Sequence, residues 1–71
     1  MATWMKDVYS SMLKEVGYDS DAGGTIVVFR RNGKRALYPD TTEEQAMQLA
    51  NAPSAGTMFH AEFKNLPFRY I

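Results

Sequence analysis

The stretch "TIVVFRRNGKRALYP", residues 25–39, decides how the chain is read. It opens on β-branched residues, which suit a pleated, half-buried strand. Asn32-Gly33 then tolerates the positive φ angles of a type I′ turn and predicts a two-residue hairpin. "KRALY" returns as the partner strand, and Pro39, which cannot donate to a ladder, closes it. In that register Arg31 faces Lys34 and Arg30 faces Arg35. Val27, Phe29, Ala36 and Tyr38 share one face, while Ile26, Val28 and Leu37 share the other with Arg30 and Arg35. A turn needs Asn-Gly; it does not need four cations. A solvated tip that discourages edge-to-edge pairing accounts for them. So does an anionic partner, because like charges directly opposite repel by roughly a few tenths of a kcal/mol per exposed pair.

Upstream, Trp4, Met5, Val8, Tyr9, Met12, Leu13 and Val16 recur at three- and four-residue steps, a helical stripe. Gly17 breaks it, and "YDSDAGG", residues 18–24, is rich in turn formers. Downstream, Thr41 or Thr42 caps a helix, and Thr42 with Gln45 has capping-box spacing. Ala46, Leu49 and Ala50 give this helix a small apolar face, and Asn51 and Pro53 stop it. Ser54 caps a second helix carrying Met58, Phe59 and Phe63. Pro67 ends that helix and leaves "FRYI" as an extended tail.

The chain of 71 residues has room for one domain, and a chain this short buries only about 60% of its unfolded surface. It has no cysteine and one histidine, which excludes zinc as a structural staple. Eight basic residues balance eight acidic ones, so no global charge draws the chain to nucleic acid; only local patches can. No apolar run approaches the length of a membrane span. The start, "MATWMKDVYSSMLKEV", lacks the pattern of a signal peptide. A cytoplasmic location is expected.

Several of these features coincide with one family. They are Gly17-Tyr18-Asp19 after an apolar position, a strand ending in Phe29, the Asn-Gly turn, and Tyr38 as the second tyrosine of a Tyr-x-Tyr motif. "APSAG", residues 52–56, followed by Phe59 and Phe63, is the most specific piece. Over about residues 10–71 the chain resembles the KTSC domain, found at the C-terminus of some lysyl-tRNA synthetases and as small stand-alone bacterial and phage proteins. It departs from the pattern at Ala36, the first tyrosine position, and at His60, where asparagine is usual. An extra residue at Arg30-Arg31 predicts a bulge there. The resemblance implies a strand at about Leu13–Asp19, which confines the helical stripe to residues 4–11. The expected fold is α+β: a three-stranded antiparallel meander followed by two helices packed on one face. Residues 1–11 form a short N-terminal helical extension and residues 12–71 the KTSC-like domain.

Catalysis finds little support. His60 is the sole imidazole, well over a right angle from the apolar stripe of its helix at about 100° per residue, so it points to solvent. Ser10, Ser11 and Ser54 lack a base to activate them. Asp19 and Asp21 beside Gly23-Gly24 lack the distal glutamate of a calcium loop and read as a turn. Asp40, Glu43 and Glu44 suit a helix start, and Gly56 alone is no phosphate loop. A non-enzymatic binding module is expected, with no metal, cofactor, small-molecule substrate or membrane contact. The synthetase context implies RNA. The candidate residues for nucleic acid or an acidic protein surface are Arg30, Arg31, Lys34, Arg35, Tyr38, His60, Lys64 and Arg69. Tyr38, Phe68 and Tyr70 are candidates to stack bases. The alternative is a protein-binding adaptor or inhibitor, such as a phage or mobile-element protein acting on a host complex. Its contacts would be Trp4, Tyr9, Ile26, Val28 and Leu37. Either the N-terminal stripe covers those three aliphatics or a partner does.

Overall fold

The computed structural model describes residues 3–71. Five strands form one antiparallel sheet in the order β1-β2-β3-β4-β5: Thr3–Asp7, Leu13–Asp19, Gly24–Phe29, Arg35–Tyr38 and Arg69–Tyr70. Two helices, α1 (Glu43–Ala50) and α2 (Ala55–Glu62), lie between β4 and β5 and cover one face. The α+β class and the helix pair are as expected. The sheet is larger than a three-stranded meander, by one strand at each edge. No helix among the described residues is long and apolar enough to cross a membrane.

The N-terminal helix is a correction. Residues 3–7 are β1, paired with β2 from Thr3↔Asp19 to Asp7↔Glu15; Met1 and Ala2 lie outside the described residues. The stripe misled because Trp4 and Val8 are four apart, a spacing that keeps a shared face under both the 3.6 and the 2 period. Both do face the helix-side core. Met5 and Tyr9 separate the two readings: Met5 turns to the other face and Tyr9 is 98% exposed. Gly17 makes the pairing possible. A Cβ there would run into the Trp4 carbonyl oxygen and the Met5 sulfur.

The predicted hairpin forms in a different register. Val28 pairs with Arg35, and Phe29 N–H donates to Lys34 O at 2.9 Å, so the loop is the four residues 30–33. Gly33 alone takes a positive φ, 71°. Asn32 does not, which rules out a type I′ turn. Its Oδ1 instead accepts from Lys34 N–H at 3.0 Å. Neither Arg31/Lys34 nor Arg30/Arg35 is therefore a cross-strand pair, and the like-charge strain predicted for them is absent. The shift is by two residues, which preserves sheet faces. Val27, Phe29, Ala36 and Tyr38 accordingly stay on the packed side. The ladder irregularity lies in β2, between Leu13 and Glu15, not at Arg30-Arg31.

The core sits between sheet and helices. Leu13, Val16, Val27, Ala36 and Tyr38 meet Leu49, Ala55, Phe59 and Phe63 there. Thr42 caps α1 with a complete capping box, and Ser54 caps α2. Thr41 does something else. Its buried hydroxyl donates to Tyr38 O at 2.6 Å and lies 2.8 Å from both the amide and the hydroxyl of Thr25, tying β3 and β4 to the start of α1. On the opposite face, Ile26, Val28 and Leu37 are at most 5% exposed without any helix above them. By register they share that face with Met5, Glu15, Arg35 and Arg69. Of the N-terminal stripe only Met5 contributes there; Trp4 packs on the helix side and its Nε1–H donates to Glu43 Oε2 at 2.9 Å.

Candidate functional site

Antiparallel pairing brings the β1–β2 connection and the 30–33 loop to one end of the sheet, where Leu13 faces Phe29. Arg30 fastens the two together. Its Nε donates to Ser10 O at 2.7 Å and its Nη2 to Val8 O at 3.0 Å, with Leu13 O at 3.4 Å. Arg30 N–H adds a bond to Met12 O at 2.9 Å. One of the four loop cations is thus committed to the fold, its charge facing carbonyl oxygens.

The other three remain outward. Arg31, Lys34 and Arg35 are exposed, and none has a carboxylate partner among the described residues. Lys34 Nζ sits 5.2 Å above the centre of the Tyr70 ring, a cation–π distance. Tyr70 belongs to β5, which pairs with Ala36 and Leu37 and so carries the chain's C-terminal aromatics beside the basic loop. Arg69, its neighbour, faces the other side next to Leu37. The cationic surface therefore wraps the β4–β5 edge, with Lys34 on one face and Arg35 and Arg69 on the other.

The aromatic residues divide. Tyr38 is 2% exposed, its ring edge-on to Phe59 at 5.9 Å and Phe63 at 5.6 Å. It cannot receive a base, which corrects its place among the stacking candidates; the alternation that put it with Val27 and Ala36, together with the family resemblance that marks that face as packed, already carried that signal. Burial, helped by Tyr70, pushes its phenol up to about 12. Phe68 stacks on Tyr38 at 5.4 Å and 28° and remains 46% exposed, and Tyr70 stands edge-on to Phe68 and is 58% exposed. Of the three stacking candidates, these two remain available.

Two open grooves flank Tyr70. One, of about 450 Å³, is lined by Ser11, Met12, Phe29, Arg31, Asn32 and Tyr70. The other lies against Gly33, Lys34, Arg35 and Ile71. His60 is exposed, as expected, and borders a separate groove between Tyr9 and the start of α2. Lys64 is apart from the loop. Gly56 lies beside Ser10, Phe59 touches Phe29, and Phe63 touches Tyr38, so α2 runs from the loop end to the far end before Lys64 is reached. Phe29, Met12 and Asn32 escaped the sequence reading because only the four-residue loop brings them together.

Asp19 is accounted for by its turn: Oδ1 accepts from the amides of Asp21 and Ala22 at 2.9 and 3.2 Å. Ser10 Oγ accepts from Met12 N–H at 3.1 Å, and Ser54 Oγ caps α2. Of the alternative contacts, Ile26, Val28 and Leu37 are buried within the single chain and Trp4 is half-buried, while Tyr9 is free in solvent.

The sequence model of the KTSC domain matches residues 9–70. The chain belongs to the KTSC family. It is also similar to the crystal structure of the KTSC domain protein YPO2434 from Yersinia pestis, at 28% identity and a TM-score of 0.83. That likeness covers 99% of each chain, so it takes in β1, which precedes the segment matched by the family. No curated protein matches the sequence. In this chain β1 is thus a fifth strand outside the family match, and the 30–33 loop and β5 lie within it.

Proposed function

We propose that this KTSC domain is a non-enzymatic module that binds single-stranded nucleic acid, RNA foremost, along the β4–β5 edge. The observation that carries the reading is the combination of Arg31, Lys34, Arg35 and Arg69, none of them paired with a carboxylate among the described residues, with the exposed rings of Phe68 and Tyr70. Cations that track a phosphate backbone beside aromatic faces that accept bases are what sequence-tolerant single-strand binding requires. Arg30 and Tyr38 leave the contact set because the fold uses them, and Lys64 lies away from it.

Fluorescence anisotropy of a labelled single-stranded RNA tests the reading. Reversing Lys34 and Arg35 to Glu is expected to weaken binding at least tenfold while leaving the thermal midpoint nearly unchanged, since both side chains are exposed. Unaltered affinity would refute it.

A protein partner is the second reading, favoured by Tyr9, which is 98% exposed beside His60. Large aromatics at a solvated loop are frequent interface anchors. A complex of that kind would lose affinity on Tyr9→Ala and respond weakly to salt.

A further inference from the structure

Asn32-Gly33 carries a chemistry of its own. An asparagine followed by glycine is the pair in which the main chain most readily attacks the side chain, because glycine has no Cβ to hinder the approach. The Gly33 nitrogen loses its proton and bonds to Cγ of Asn32. The Cγ–Nδ2 bond breaks, and Nδ2 leaves as ammonia with that proton. Water, the only co-reactant, then opens the five-membered imide at either carbonyl and leaves aspartate or isoaspartate in place of the asparagine. Asn32 is exposed, so water reaches it freely.

The loop governs the first step. Gly33 N–H donates to Phe29 O at 2.8 Å, and Phe29 N–H closes the same loop on Lys34 O at 2.9 Å. The attacking nitrogen therefore holds its proton against a carbonyl oxygen, where losing it would leave two electron-rich atoms in contact. The imide carries no proton on that nitrogen, so the bond to Phe29 must be given up before the ring closes. Lys34 N–H works the other way. It donates to Oδ1 at 3.0 Å and stabilises the charge that grows on that oxygen during attack. That help has no effect while the nitrogen keeps its proton. Gly33 takes the positive φ of 71° that closes the loop, so the residue that makes the pair reactive also masks it.

We infer that Asn32 is a spontaneous deamidation site, masked in the closed 30–33 loop by the hydrogen bond from Gly33 to Phe29 and exposed to reaction when the loop opens. The inference is independent of the nucleic-acid reading. Either product adds a carboxylate next to Arg31 in the chain, and isoaspartate also lengthens the main chain by one methylene. Refolding does not reverse the change.

Peptide mapping by mass spectrometry, on the full chain incubated at mildly alkaline pH over a series of guanidinium concentrations, tests it. Asn51 and Asn65 precede Ala52 and Leu66 and serve as internal controls. In the denatured chain Asn32 should react ahead of both. In the folded chain its rate should fall by at least about threefold, the effect of one hydrogen bond. Hydrogen exchange at the Gly33 amide supplies the second readout, because exchange and deamidation require the same local opening. The two rates should rise together as denaturant is added. Equal rates at Asn32 in the folded and denatured chain, or deamidation that keeps one rate while Gly33 exchange accelerates, overturn the masking. A denatured chain in which Asn32 reacts no faster than Asn51 overturns the site itself.

Discussion

Arg30 and Arg31 are chemically identical neighbours with opposite duties. Arg30 bridges carbonyls of the β1–β2 connection, and hydrogen bonds to a charged donor contribute about 1.5–3 kcal/mol where truncation leaves the acceptors unmet. Arg30→Ala should therefore lower stability by about that much in urea unfolding, whereas Arg31→Ala should change it by less than about 0.5 kcal/mol. Charge reversal at Arg30 is for the same reason a poor probe of binding. Tyr38 supplies a second test. Its folded phenol holds the proton up to about 12, against 10.0 for the free group. The unfolded chain ionises first, so stability falls as pH rises from about 10 to 12 and is unaffected below. Alkaline difference absorbance should show one phenol titrating near 12, and Tyr38→Phe should remove that part of the alkaline loss. Alternation grouped Tyr38 with Val27 and Ala36, and the family resemblance marked that face as the packed one. Neither could distinguish Arg30 from Arg31, because the deciding carbonyls lie 17 to 22 residues away in the chain.

Among the elements, β1 depends on a missing side chain. A methyl at Gly17 would collide with the backbone of Trp4 and with Met5. Gly17→Ala is expected to destabilise by at least the roughly 1–3 kcal/mol typical of overpacking. It should also expose the β1 amides to hydrogen exchange ahead of β2 and β3. Uniform protection across the sheet in that variant would contradict the role given to Gly17. Both helices were legible from their N-caps, since Thr42-Gln45 and Ser54 act locally, but α2 ends at Glu62 with Phe63 as its C-cap and does not run on to Pro67. The hairpin was legible in its strands and faces but not in its turn. Asn-Gly permits a two-residue turn, yet closure at Phe29 and Lys34 wins, with Gly33 taking the positive φ by itself. β5 has only two residues, too short for any periodicity to show, and the edge it joins is visible only once the chain has folded back.

For the whole molecule, zero net charge conceals a local cluster. Lys6 and Lys14 lie on β1 and β2 among Asp7, Glu15 and Asp19, while Arg31, Lys34, Arg35 and Arg69 gather at the β4–β5 edge without an acidic neighbour on β5. The basic hairpin was legible in the sequence. Its companions on β5 and the groove beneath Tyr70 were not, because topology alone assembles them. A local cationic edge binds phosphates by releasing their counterions, and this makes ionic strength the most direct probe of the central claim. With four cations in contact, the logarithm of the association constant for single-stranded RNA should fall by about 2.8 for each tenfold rise in salt, using the single-strand slope of about 0.7 per phosphate. Removing any one of the four should flatten that slope by about 0.7. An affinity indifferent to salt, or no binding even at low ionic strength, would contradict the account.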